Sequence, residues 1–168
     1  MKNRAYRKIS LMLAFLFVAV ANAASVQLTP FDGSAKALEA YTGKGKWVIA
    51  MIWAHDCHVC NQEAKEYVTF HQKHQSNKAV VLGISMDGKS QQKKAQKFVD
   101  RHQIPFTSLI GEPENVAGMY EKMTGRRWIG TPTFMIFHPS GKLVAEQAGA
   151  VPASLLEDFI GNYKDPAG

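Results

Sequence analysis

Both cysteines of the 168-residue chain lie in one tetrad, Cys57-His58-Val59-Cys60. A thiolate is the species that attacks a disulfide sulfur, so two thiols at this spacing can pass electrons by making and breaking their own disulfide. As a staple the pair is ill suited, because closing so short a loop constrains the unfolded chain little. Two cysteines cannot build the multi-bridge framework of small secreted domains either. The same stretch crowds His55, Cys57, His58 and Cys60 into six residues, a ligand set that copper(I) or zinc could use. Such a site needs further ligands from a second loop, and His102 and His138 are the distant candidates. A helix end and a strand end account for them more simply, and His71 and His74 read as helix residues.

The dithiol needs elements that hold it at a fixed place. Trp47 to Trp53 is an almost unbroken apolar run, the pattern of a strand buried on both faces. Cys60, Ala64, Tyr67, Val68 and His71 then recur at helical spacing, which predicts a helix running to about Gln75 with Cys60 in its first turn. Cys57 falls at the mouth of that helix, where free amides and the helix dipole favour negative charge. Its thiol pKa is expected below the ordinary value of about 8.5. His58, if protonated, favours the thiolate and Asp56 opposes it. Cys57 is therefore the expected nucleophile, and Cys60, one turn in, the thiol that resolves the mixed disulfide.

Further along, Ala79 to Ser85 predicts a second buried strand, and Ala95, Phe98, Val99 and His102 one face of a helix. The resulting βαβα order implies parallel strands with a right-handed crossover. Phe106 to Ile110 is a short strand, and Val116, Met119, Tyr120 and Met123 share a helix face. Gly130-Thr131-Pro132 interrupts the chain before a hairpin of Thr133–His138 and Leu143–Gly149, turned at Pro139-Ser140-Gly141-Lys142. Leu155, Leu156, Phe159, Ile160 and Tyr163 mark a last helix. Before all of these, Ala37, Leu38 and Tyr41 suggest a short amphipathic helix that Gly43-Lys44-Gly45-Lys46 breaks.

The amino terminus reads as an export signal. Lys2, Arg4, Arg7 and Lys8 precede an apolar run from Ile9 to Ala21 and the small-residue triplet Ala21-Asn22-Ala23. That run is shorter than the roughly 20 residues that cross the hydrocarbon layer, so residues 1–23 are expected to be removed; an uncleaved anchor is the alternative. Residues 24–168 then form one domain with its own core. Lys and Arg number 20 against 14 Asp and Glu, and without the four basic residues at the front 16 remain, so the excess is mild. No basic stripe with interleaved aromatics is left to bind nucleic acid. Neither a phosphate-cradling glycine loop, a Gly-x-Ser-x-Gly elbow nor a His-Glu-x-x-His motif is present.

In this order of elements, and in Gly45-Lys46-Trp47, Trp53-Ala54, Cys57-x-x-Cys60-x-x-Glu63, Gly83-Ile84-Ser85 and Thr131-Pro132-Thr133-Phe134, the chain resembles the thioredoxin superfamily. Within it, the resemblance is to TlpA/ResA-type exported thiol-disulfide reductases, over roughly residues 27 to 163. It implies a single-domain α/β thioredoxin-like fold, a central mixed sheet flanked by helices. It also implies a cis peptide at Thr131-Pro132 across from the dithiol, with the Thr131 backbone open to an extended substrate. Trp53 and His58 would support the site. Glu63 would lie near the thiols and shape their titration or accept the Cys60 proton; the plainer alternative is a first-turn glutamate that complements the helix dipole.

The export signal points to the periplasm, a monomer is the default because no apolar patch for a stable dimer is legible from periodicity, and no cofactor is expected beyond the redox-active Cys57/Cys60 pair. The partners that the resemblance implies would be exported proteins with disulfides, apocytochromes c among the substrates, and a membrane dithiol donor. Alternatives are an oxidant or isomerase of the same fold, or a metal-handling relative. A peroxidase would want a single peroxidatic cysteine in another setting. Asp56 stands where thioredoxins place an aromatic residue, Val59 where a proline is common, Met51 where thioredoxin keeps a buried acid, and Ala64-Lys65 lacks a helix proline. These departures touch potential and partner choice more than fold.

Overall fold

A computed structural model describes residues 26, 28–31, 33 and 36–165. The export signal expected at 1–23 lies outside these residues.

Seven residues of β2 (Trp47–Trp53) are all buried, because the strand is covered on both faces. Side chains alternate along a strand, and here Trp47, Ile49, Met51 and Trp53 join one core while Val48, Ala50 and Ile52 join another. The first core is closed by α1 (His58–His74), α2 (Gln92–Arg101) and α4 (Ala153–Asn162), through Cys60, Tyr67, Phe70, Phe98, Leu156 and Ile160. The second is closed by α3 (Pro113–Thr124) through Val116, Met119 and Tyr120, together with Leu28 and Leu38.

Six strands form one sheet, in the order β1 (Thr29–Pro30), β4 (Ser108–Ile110), β3 (Ala79–Ser85), β2, β5 (Thr133–Phe137) and β6 (Leu143–Ala148). β3 (Ala79–Ser85) runs parallel to β2, with Trp47 beside Ala79 and Trp53 beside Ser85. β5 (Thr133–Phe137) runs antiparallel on the other side, with Ile52 beside Thr133. β4 (Ser108–Ile110) is parallel to β3, and β6 (Leu143–Ala148) completes the hairpin with β5. The sheet is mixed and flanked by helices, as the thioredoxin-like expectation requires. Because α1 follows β2 and Thr131-Pro132 precedes β5, the antiparallel register brings both to the carboxyl end of β2.

Several boundaries differ from the sequence reading. The short helix at 37–41 is a single 3-10 turn, Leu38–Ala40, with no side-chain cap. β4 begins at Ser108, after Phe106 has turned into the core. The two-residue edge strand β1 (Thr29–Pro30), antiparallel to β4, was not foreseen; its length gives no periodicity to read. Elsewhere local chemistry set the ends: Pro113 occupies the first turn of α3, and Gly125 closes it at a φ of 69°, a conformation glycine adopts without penalty.

Candidate active site

β2 ends at Trp53, and the chain turns back on itself as the Cys57 N–H donates to the Ala54 carbonyl at 3.2 Å. Cys57 is the N-cap of α1, with extended backbone, and its Sγ accepts the Cys60 N–H at 3.1 Å. A helix needs acceptors for its first amide donors, and here a cysteine sulfur supplies one. Cys57 and Cys60 form a disulfide with their Cα atoms 5.2 Å apart. Cys57 is half-buried whereas Cys60 is 0% exposed, so only the first sulfur is open to an incoming partner.

Two clamps hold this turn. Asn61 donates from Nδ2 to the carbonyls of both His55 (3.2 Å) and Cys57 (2.9 Å), while its Oδ1 accepts from Arg101 Nη1 at 3.2 Å and meets His102 Nε2 at 3.0 Å. Burial, then the Arg101 charge, holds the His102 ring below its ordinary pKa. On the other side Asp87, just past β3 with its side chain 4% exposed, accepts the His55 backbone N–H at 3.0 Å. Its carboxylate also meets His55 Nδ1 at 2.5 Å and the Ser85 hydroxyl at 2.6 Å.

Among the residues singled out from sequence, Trp53 is buried in the core, stacked on Phe98 with ring centroids 4.3 Å apart. Its Nε1 has no hydrogen-bond partner among the described residues. His58 is exposed in the first turn of α1. Thr131-Pro132 is a cis peptide. Pro132 is buried and its carbonyl accepts the Gly149 N–H at 2.8 Å, whereas Thr131 has no hydrogen bond to any described residue.

Glu63 is not a first-turn residue, since the first turn of α1 holds no acid. One turn beyond Cys60, its Oε2 lies 3.1 Å from the Tyr67 hydroxyl, which donates to the Val151 carbonyl at 2.6 Å. Burial, then the charge and hydrogen bond of Glu63, pushes the Tyr67 pKa far above its usual value. The crowded set His55, Cys57, His58 and Cys60 is not gathered around one point: the sulfurs are bonded to each other and His55 faces Asp87. His71 accepts the Val81 N–H and His138 meets Ser140, both structural roles.

A model of the AhpC/TSA family matches residues 20–146, well over half of the chain. The chain belongs to the AhpC/TSA family. Among curated members and relatives, it is 28% identical to Peroxiredoxin Bcp of Bacillus subtilis (strain 168) over 111 residues, 61% of this chain and 68% of that protein. It is 23% identical to the thiol-disulfide oxidoreductase ResA of Halalkalibacterium halodurans over 136 residues, 81% of this chain and 73% of that one. In fold this AhpC/TSA chain is similar to a thiol:disulfide interchange protein of Chlorobium tepidum TLS, with a TM-score of 0.67 at 18% identity over 82% and 92% of the two chains.

Asp87 and Asn61 were missed from sequence. A signal existed for each: ligand-binding groups in open α/β sheets gather beyond the carboxyl ends of strands, and Asp87 follows the end of β3. Asn61 directly follows the second cysteine.

Proposed function

We propose that the protein is an extracytoplasmic thiol-disulfide oxidoreductase of the DsbE/ResA/TlpA type that reduces disulfides in exported proteins. The observation that carries this reading is the asymmetry of the Cys57–Cys60 disulfide, one sulfur accessible at a helix N-cap and the other fully buried. In the reduced protein the Cys60 amide and the helix dipole stabilise a Cys57 thiolate. That thiolate attacks a substrate disulfide, and Cys60 resolves the mixed disulfide, releasing reduced substrate and restoring the bond seen here. Thr131, with its backbone groups unpaired, receives the substrate as an extended segment. Glu63 serves the Cys60 side, one helical turn away, as proton acceptor during resolution.

In this reading residues 1–23 direct export and are removed, residues 24–168 act in the periplasm, and a membrane dithiol donor returns the electrons. Apocytochrome cysteines are a fitting substrate class. The test is an equilibrium redox titration of the metal-free protein, following Cys57 and Cys60 by alkylation and mass. A midpoint near about −270 mV is expected, and one near about −120 mV makes the protein an oxidant instead. The similarity to Peroxiredoxin Bcp favours a second reading, peroxide reduction. Consumption of hydrogen peroxide without exchange of protein disulfides would establish that one.

A further inference from the structure

Thiol-disulfide exchange moves protons as well as electrons, and the thiol of Cys57 must lose its proton before it attacks. Met51, buried in β2, offers no acid under the site, and Glu63 is engaged with Tyr67 on the Cys60 side. His55 is placed differently. It sits inside the turn that Cys57 N–H closes on Ala54, two residues before the nucleophile. Two residues of chain span at most about 7 Å.

Asp87 fixes this histidine twice, by its backbone N–H and by its ring. A carboxylate can only accept, so the ring presents Nδ1–H to Asp87, and in the neutral imidazole Nε2 is then the acceptor. Nε2 has no hydrogen bond to any described residue, and the side chain is 22% exposed. Ser85 holds the second carboxylate oxygen, which leaves Asp87 no freedom to turn away. A buried acid that orients an imidazole and leaves its far nitrogen without a hydrogen bond, two residues before the nucleophile, is an arrangement suited to proton transfer.

We propose that His55, positioned by Asp87, accepts the Cys57 thiol proton at Nε2 when the reduced protein attacks a substrate disulfide. The step rests on the reading of the protein as a disulfide reductase. The proton passes from Cys57 Sγ to His55 Nε2, and the thiolate forms a bond to one substrate sulfur as the substrate S–S bond breaks. The departing sulfur leaves with the electron pair and takes the proton from His55. Cys60 then loses its proton and attacks Cys57 Sγ, so that the Cys57–Cys60 bond forms as the bond from Cys57 to the substrate breaks, and the second substrate sulfur leaves with the electron pair and takes up that proton. Two electrons and two protons have moved from the dithiol to the substrate.

Other charged groups face the same turn and compete for the role. Asp56 lies within it, with a carboxylate oxygen within 4.8 Å of ligating atoms on His55 and Asp87. His58 opens α1, and Arg101 and His102 reach the turn from the end of α2 through Asn61. The experiment must separate His55 from these.

The reduced full chain and its H55Q, D87N and H58Q variants are alkylated with iodoacetamide across pH 4 to 10, and Cys57 modification is followed by mass. Exchange with a model peptide disulfide is timed in parallel. H55Q is expected to lose the lower inflection of the wild-type alkylation profile and to slow exchange at neutral pH on the order of 10²-fold; D87N moves the same way. An inflection that survives in H55Q and vanishes in H58Q overturns the proposal. Should H55Q fail to fold, NMR titration of the wild-type His55 ring decides: its midpoint must differ between oxidised and reduced protein, and identical titrations overturn the proposal. A wild type that alkylates with the expected profile but exchanges no disulfide removes the reductase reading while leaving the proton relay standing.

Discussion

At the residue scale the two cysteines differ in exposure, and the roles proposed for them rest on that difference. Cys57→Ser removes the accessible sulfur and is expected to abolish exchange; Cys60→Ser leaves the attack intact and is expected to accumulate mixed disulfides through Cys57, visible on non-reducing gels. Absence of such adducts under conditions where the wild type turns over would reverse the assignment. His71 makes a different demand. Its Nδ1 accepts the buried Val81 N–H at 3.1 Å, and burial above all lowers the ring's pKa from 6.5. The unfolded chain therefore binds a proton more readily than the native one, so the stability from His71 is full above about 6.5 and is lost as pH falls through the folded value. Thermal midpoints should drop between pH 7 and 5 in the wild type, and drop less in His71→Asn.

At the scale of elements, the close approach of β3 to its neighbours depends on Gly83. A Cβ there would stand 2.8 Å from Ser108 Oγ and 3.0 Å from Trp53 Nε1, on the β4 side chain and on the indole at the end of β2. Gly83→Ala should cost about 1–3 kcal/mol, as overpacked cores do, measured by urea unfolding. The link between α1 and the segment before α4 depends on Tyr67, whose hydroxyl lies between the Val151 carbonyl and Glu63. Tyr67→Phe leaves the buried carbonyl without its donor and is expected to destabilise by about 1–3 kcal/mol. The same variant frees Glu63, so a shift in redox midpoint would reveal how far that carboxylate governs Cys60. The α1 boundary itself was readable from apolar spacing, whereas Cys57 as its N-cap was readable only as a position near the helix mouth; the sulfur acting as acceptor emerged from the fold.

At the scale of the molecule, large apolar side chains are well hidden. Among the described residues only Ile129 and Leu155 are large, apolar and exposed, at 77% and 57%. A monomer is expected across micromolar concentrations in sedimentation, and a concentration-dependent dimer would overturn that expectation. No helix among the described residues is long and apolar enough to cross a membrane.

The doubly buried strand, the helix after the dithiol and the hairpin after Pro132 were legible because each is written in local periodicity, which a short window of residues carries complete. So were Cys57 and Cys60, whose chemistry depends on their own spacing. Glu63 and Tyr67 are four residues apart on one helix, a spacing the sequence carries, but the Val151 carbonyl that Tyr67 also bonds lies 84 residues further on and was not legible. The His55–Asp87 pair spans 32 residues and exists because β2 and β3 run parallel and in register, ending side by side. Pairing between distant segments is set by how the sheet packs, and no local pattern encodes which two polar side chains will meet at its edge.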